Sequence, residues 1–498
     1  MNILGGKRKK PQPFIKQDFS NFEGYFLHPE IAEDIFVTNF EYTASGLNHT
    51  DTSHIGFIAF TEKRFAESLG VKRSWPDGNN VVKRNPEKFE VLITETPIEE
   101  LKDQLPQFIV PDTWKFMYQV GNYLRNNTDI PLIAITGSVG KTSTRMMIEH
   151  LLREDYSVLA NRANHNTRFA IPLYMTRMVQ SPDLVNLEVS LNALNNRDIG
   201  PQTLFIKPTI SVLTSISYAH MSTMTDLNGL AELKANVFKG LEKEGIAIIN
   251  RDIQQEQYEL AVQAAKEQTD HILTYSMWDT NADLHLLAMK ELKNFTEVTI
   301  SYKSNYYTYY LSLSSPGMVE NSLAAILVLG TMGVDIDRYL PRFSTFQSLP
   351  NVMERRRGYI DQKKVEIFDD THNAAIPSMI NAIKSFTNKV PYYNGKKLLV
   401  LGQVADLGRY SKELHESLIP YINNSGADML LAYGEAMKEV VVNTSIPSIW
   451  YEDLNSYLSA IREQITENSL IQLKGSASGS DYKKISGLLK ELLEDSRD

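Results

Sequence analysis

The chain has 498 residues, no cysteine and a formal net charge of −9. Its length exceeds what one hydrophobic core fills, so about two to four domains are expected. The missing cysteines exclude disulfides and thiolate-bound zinc, and the acidic balance argues against a nucleic-acid binder, whose footprint is basic.

The first residues, MNILGGKRKKPQPF, are basic and lack the apolar core of a signal peptide. No window approaches about 18 consecutive apolar residues, so no membrane span is expected and a cytoplasmic location follows. Residues 1–127 read as a small α/β unit. FIAF (57–60) and VLIT (91–94) are short apolar strands, TEKRFAESLG is helical, and SWPDGNN (74–80) has the composition of a loop. Pro111, Asp112 and Thr113 open a helix on which Trp114, Met117, Tyr118, Val120 and Leu124 fall at helical spacing.

Residues 128–345 alternate strand and helix, with strands at 132–136, 185–190, 210–216, 246–250 and 272–275 and helices at 142–154 and 226–242. That rhythm predicts a mostly parallel sheet with ligands at the carboxyl ends of its strands. Residues 296–314 alternate like two antiparallel strands around Lys303, Ser304 and Asn305, and 321–333 is an apolar helix. After a break near 342–350 a third α/β domain, 346–498, restarts with strands at 365–369, 398–402, 429–433, 448–451 and 470–473. The fold class is α/β: a small N-terminal domain, a central P-loop ATPase domain and a Rossmann-like C-terminal domain.

The chemistry centres on IAITGSVGKTSTR, 133–145. An apolar strand stops at Gly137, Ser138, Val139 and Gly140, then Lys141, Thr142 and Ser143 open a helix. Such a loop cradles phosphate with backbone amides, adds a lysine charge and offers a hydroxyl to Mg²⁺. Ile135 stands where the full pattern has glycine, so this is the shorter G-x-x-G-K-T form. Glu188 ends an apolar strand, His220 lies just past another, and Lys234 sits among apolar helix neighbours. Arg355, Arg356 and Arg357 form a dense cation cluster just after the domain break, where a phosphate clamp would fit. Asp369, Asp370, Thr371, His372 and Asn373 follow a strand, as does Lys474-Gly475-Ser476. Strand ends in two domains carrying these groups suggest one site between the domains.

In this order the motifs resemble the Mur ligase family over about residues 105–480. ITGSVGKTST, NHNT (164–167), LTSISYAH (213–220), ELKANVF (232–238), INRD (249–252) and ENSLAA (320–325) are similar to successive family segments. DDTHNAAIPSM (369–379), LGQVADLG with a following His (401–415) and LKGSAS (473–478) resemble the MurF branch, which adds D-alanyl-D-alanine.

The resemblance implies an ATP-dependent ligase that forms an amide through an acyl phosphate. It joins an amino acid, dipeptide or short peptide to a small-molecule or peptide carboxylate acceptor. It implies that Lys141 and the loop amides hold the β- and γ-phosphates, and that Asn250, Asn321, Asp370 and Asn373 contact the nucleotide. Thr142 and Glu188 would take one Mg²⁺ and His220 a second, with Lys234 carbamylated as a metal ligand. Counting back from Asp369 places the clamp at Arg355, with Arg356 as the alternative. The expected protein is a monomer or weak oligomer.

The N-terminal region lacks a DSR-like segment, His372 replaces a usual Tyr, and Ala477 replaces a usual Arg. These departures favour a divergent ligase outside wall synthesis, such as a poly-γ-glutamate-type synthase, with MurF-like ligation onto a UDP-muramoyl peptide as the alternative. A non-catalytic nucleotide-binding regulator is a further reading. A GTPase is disfavoured, since no N-K-x-D guanine-reading segment is present.

Overall fold

The computed structural model describes residues 3–4, 8–49, 53–69, 75–162, 165–195, 200–218, 226–312, 315–476 and 481–494. The first sheet contains β1 (Tyr25–Phe26), β2 (Asn39–Glu41), β3 (Ile55–Ile58), β4 (Phe89–Thr94) and β5 (Gln107–Ile109), in the order β1-β5-β4-β3-β2. All neighbours are parallel except β1 with β5. Of the loop expected at 74–80, residues 75–77 are irregular and 78–80 already belong to a helix, Gly78–Arg84. Asp77 caps it by accepting from the Asn79 amide at 2.9 Å, and Gly78 packs so closely on Ala59 that a Cβ would lie 2.6 Å from the Ala59 Cα. Asp and Gly here start a helix, a use their composition shares with turns.

The helix Thr113–Asn126 forms as expected, with Asp112 accepting from the Lys115 amide at 2.8 Å. It leads into the central sheet of nine strands: β6 (Leu132–Thr136), β7 (Val158–Ala160), β8 (Leu184–Glu188), β9 (Ile210–Leu213), β10 (Ile246–Asn250), β11 (His271–Ser276), β12 (Leu284–Glu291), β13 (Thr296–Tyr302) and β14 (Asn305–Leu311). Their order is β14-β13-β12-β11-β10-β9-β6-β8-β7. β6 is buried along its whole length and lies between β8 and β9, so the chain leaves its carboxyl end where strands depart to either side. That is the crevice in which open parallel sheets bind ligands. The hairpin β13–β14 is antiparallel, and β13 alternates between buried and half-buried positions. Strands β7 and β12 add to the expected set.

The third sheet contains β15 (Glu354–Ile360), β16 (Lys363–Asp370), β17 (Lys397–Gly402), β18 (Met429–Tyr433), β19 (Ser448–Tyr451) and β20 (Ser469–Lys474), in the order β15-β16-β20-β17-β18-β19. Only β15 is antiparallel. The carboxyl ends of β16, β20 and β17 therefore share one edge, which faces the carboxyl edge of the central sheet.

Several contacts fix the two sheets against each other. Tyr218 and Tyr410 meet with ring centroids 5.3 Å apart. Asn381 packs on Gly317, where a Cβ would come within 2.7 Å of Nδ2. Glu291 and Lys389 form an ion pair at 3.5 Å with both side chains 2% exposed.

Candidate functional site

A cavity of about 450 Å³ lies between the facing sheet edges, lined on one side by 137–143 and on the other by residues following β16, β17 and β20. The phosphate loop is seated by the turn after β9. The Ser138 amide donates to the Ser215 carbonyl at 2.9 Å and the Val139 amide to Ser215 Oγ at 2.9 Å, while Thr214 Oγ1 donates to the Val139 carbonyl at 2.6 Å. Gly137 tolerates no side chain, since a Cβ would lie 2.0 Å from Thr214 Oγ1. Gly140 has φ +87° at the start of the helix Lys141–Leu152, and a Cβ there would lie 2.4 Å from Asn321 Oδ1. The first amides of that helix have no partner within it, and Gly140–Ser143 line the cavity, so positive dipole ends meet the space.

Thr142 Oγ1 donates to Glu188 Oε2 at 2.6 Å. Asn166 holds the other oxygen, donating to Oε1 at 2.7 Å, and Asn161 pins the Glu188 backbone on both sides. Glu188 is 3% exposed, and that surface opens to the cavity. Among the described residues no group of three or more His, Cys, Asp or Glu could hold a metal. The Thr142–Glu188 pair fits a magnesium ion that takes its other oxygens from phosphates and water.

Two lysines enter the same wall. Lys141 Nζ folds back on its own loop, donating to the carbonyls of Gly137 at 2.9 Å and Ser138 at 3.3 Å. Lys234, on the helix Leu227–Ala235, is 2% exposed and lines the cavity. Burial first, and the charge of Lys141 second, hold its amine well below the ordinary lysine range. Burial also lowers Lys141, against the pull of Glu188.

The opposite wall is built differently. Lys474 Nζ bonds Asp370 Oδ2 at 2.7 Å and the Asn373 carbonyl at 2.7 Å. Burial nevertheless leaves the Asp370 carboxyl raised, with Lys474 opposing. His372, Asn373, Asp406 and Ser476 complete this side.

The family model described as "Mur ligase middle domain" matches residues 135–329, and the one described as "Mur ligase, glutamate ligase domain" matches 353–477. The chain belongs to the Mur ligase family. A relative from Rickettsia prowazekii, UDP-N-acetylmuramoyl-tripeptide–D-alanyl-D-alanine ligase, is 24% identical over 405 residues, 80% of this chain and 87% of its own length. The Escherichia coli protein of the same name is 24% identical over 378 residues, covering 76% and 80%. The fold is similar to that of MurF from Acinetobacter baumannii, with a TM-score of 0.77 at 19% identity over 97% of this chain and 99% of that one. It is also similar to MurF from Thermotoga maritima in complex with ADP, with a TM-score of 0.71 at 21% identity over 92% and 98%.

Within this Mur ligase the cavity gathers Gly137, Ser138, Val139, Gly140, Lys141, Thr142, Ser143, Glu188, Lys234, Asn321, Asp370 and Asn373. His220 lies outside the described residues. Asn250 does not reach the cavity. Its Nδ2 donates to the Thr214 carbonyl and to Glu320 Oε1, both at 2.8 Å, and its Oδ1 accepts from the Asp252 amide at 2.9 Å. The cavity is reached instead by Glu320, which the motif ENSLAA contains but whose acid did not stand out.

The arginine cluster stands away from the cavity in this arrangement of the chain. Residues 355–357 lie in strand β15, and none of the three lines the cavity. Strand alternation sends Arg356 inward, where it pairs with Asp369 at 2.9 Å. Arg355 and Arg357 point to the other face, where both meet Glu366. They also donate to Asn294 Oδ1, in the β12–β13 turn, at 2.9 and 2.8 Å. Arg355 thus ties the C-terminal domain to the central hairpin in this arrangement of the chain.

Proposed function

We propose that this Mur ligase adds D-alanyl-D-alanine to a UDP-N-acetylmuramoyl-tripeptide, forming ADP and phosphate in the cytoplasm. The observation that carries the ligase chemistry is the joint placement, around one cavity, of the phosphate loop with its Thr142–Glu188 pair and the Asp370–Lys474 edge of a second domain. The substrate assignment is supported by relatives of that name along most of the chain. The alternative of a ligase outside wall synthesis drew on the N-terminal mismatch. A MurF-like fold across 97% of the chain weakens that ground.

The loop amides and Lys141 bind the β- and γ-phosphates, Lys141 exchanging its two carbonyl partners for phosphate oxygens. Thr142 and Glu188 would hold magnesium, which would supply positive charge to the transferring phosphoryl group. A substrate carboxylate oxygen attacks the γ-phosphorus, and ADP leaves. The incoming amine then attacks the acyl carbon, loses a proton and expels phosphate. Both steps need reactants held in line and water kept out, which the facing C-terminal edge supports.

Lys234 fits a carbamate. Its buried amine favours the neutral form, which adds to CO₂ to give an N-carboxylate and releases a proton. The product is an anion beside the Lys141 cation. A carbonyl signal from ¹³C-bicarbonate that is lost in Lys234→Ala supports this, and its absence from the wild type overturns it.

The activity is tested by ADP release with Mg²⁺, UDP-N-acetylmuramoyl-tripeptide and D-alanyl-D-alanine. Release that requires both substrates is expected. Folded protein that releases no ADP with this pair, but does so with another acceptor and amine, would overturn the substrate assignment.

A further inference from the structure

We propose that Asp406 receives the ammonium group of the incoming dipeptide and so selects a charged amine for the second step. The inference rests on the ligase reading above and gives the amine a partner on the C-terminal wall of the same cavity.

Position comes first. Lys141 and Gly140–Ser143 line the central wall, so the γ-phosphate and the acyl phosphate made from it lie there. The amine must then reach the acyl carbon from the facing wall, which residues after β16, β17 and β20 build. Among the described residues, the acids that line the cavity are Glu188, Glu320, Asp370 and Asp406. Glu188 and Glu320 stand on central-domain elements, β8 and the helix Pro316–Thr331. Glu188 accepts from Thr142 and Asn166, and Glu320 from Asn250. On the facing wall Asp370 already has the Lys474 ammonium. Asp406 is the other acid of that wall.

The loop that carries Asp406 is held in one shape. Val404, Ala405, Asp406 and Leu407 follow β17 and all line the cavity. His415, on the helix Ser411–Glu416, is fully buried. A carbonyl only accepts, so its Nδ1 donates to the Ser411 carbonyl at 2.6 Å and leaves Nε2 to accept the Val404 amide at 2.9 Å. Ser476, just beyond β20, donates its amide to the Gln403 carbonyl at 3.0 Å and accepts the Ala405 amide on Oγ at 2.9 Å. Asp406 then turns with φ +63°, a conformation that Asp and Asn adopt more readily than most side chains. Leu407 is buried beyond it. The exposed acid therefore stands in a bend that is anchored on both sides.

The chemistry then selects. A carboxylate only accepts, and an ammonium group brings three donors and a positive charge. Hydrogen bonds between such charged partners are the strong ones. The dipeptide carries its ammonium on the atom that must attack. One proton leaves that nitrogen to water before attack, and the remaining N–H groups stay on the carboxylate. An uncharged nucleophile gains nothing from Asp406.

Hydroxylamine, which is uncharged near neutral pH, supplies the control nucleophile. It attacks the acyl carbon through nitrogen, forms a hydroxamate and expels phosphate, with no ammonium to seat. The full chain and Asp406→Asn are compared with Mg-ATP and UDP-N-acetylmuramoyl-tripeptide, using either D-alanyl-D-alanine or hydroxylamine. Asn keeps the side-chain shape and tolerates the left-handed turn. The variant should lose about 10- to 100-fold in kcat/KM for the dipeptide, the scale of a hydrogen bond to a charged group. Its hydroxamate rate and its KM for ATP should match the wild type. An unchanged dipeptide constant would overturn the proposal. So would an equal loss with both nucleophiles, which would place Asp406 in phosphoryl transfer or in folding. Product from the wild type with the dipeptide upholds the ligase reading whichever way the variant behaves. If the wild type makes neither product, that reading falls and this proposal with it.

Discussion

On the central-domain wall, Lys141 and Lys234 are buried near each other, and among the described residues Glu188 bonds a hydroxyl and an amide but no cation. On the C-terminal wall, Asp370 and Lys474 stand 2.7 Å apart with side chains 10% and 3% exposed. The first wall holds the Lys141 cation on backbone carbonyls and the Glu188 carboxylate on neutral donors, charges that a magnesium-bound polyanion would satisfy. The second holds charges that already satisfy each other. A wall of the first kind gives up stability for binding, and one of the second kind keeps its shape whether or not a ligand is present. The contrast assigns ATP recognition to the central domain and a positioning edge to the C-terminal domain.

The largest expected effect tests the first wall. Lys141→Ala should cut ADP release by about 10²- to 10³-fold, the scale of removing one preorganised group from developing charge. Its melting temperature should stay level or rise, because a desolvated cation is removed. A steady-state assay with a parallel melt checks both, and a variant that is destabilised yet active would reverse the contrast. On the second wall Lys474→Met should do the opposite. Leaving Asp370 buried without its cation should cost about 3 kcal/mol or more of stability. Asp370→Asn combined with Lys474→Met should recover much of that in denaturant titration, since no buried charge then remains.

The two walls were also unequally legible. The phosphate loop is one run of residues, 137–143, after a strand that is apolar throughout, so periodicity and local chemistry agree there. Asp370, Asn373 and Lys474 were legible as strand ends, although their meeting depends on β20 inserting between β16 and β17. The placement of the arginines was not legible, because β15 is a strand by virtue of its pairing with β16. Three successive cations hide the alternation that separates Arg356 from Arg355 and Arg357. Glu320 was overlooked because a single acid on an otherwise apolar helix ordinarily marks its solvated face. Its helix packs on β10 and β11, which are distant in sequence and bring Asn250 and Tyr275 to it.

A smaller, pH-dependent effect follows from Glu320. Its carboxyl rises from 4.5 to about 7 on folding, so the folded chain binds that proton more tightly than the unfolded chain does. The resulting stabilisation is complete below about 4.5 and is lost as the pH rises through about 7. Glu320→Gln does not titrate. The melting temperature of E320Q minus that of the wild type should therefore climb between those values and level off above them. Scanning fluorimetry across that range checks the sign, and a flat difference would mean that the carboxyl stays ionised.

The smallest expected effect belongs to Arg355. A phosphate clamp at this position would make Arg355→Ala as damaging as Lys141→Ala. The geometry gives another expectation, because the guanidinium lies on Glu366 and Asn294, away from the cavity. Removing it leaves Arg357 on the same two partners, so the domain contact is weakened without being lost. ADP release should fall by less than about threefold, the scale of an exposed polar contact. The melting temperature should drop slightly, and more in the double variant with Arg357→Ala. A hundredfold loss of turnover in the single variant, without a matching loss of stability, would mean that the C-terminal domain turns Arg355 toward the nucleotide during the reaction. The second wall would then supply charge to ATP as well as shape.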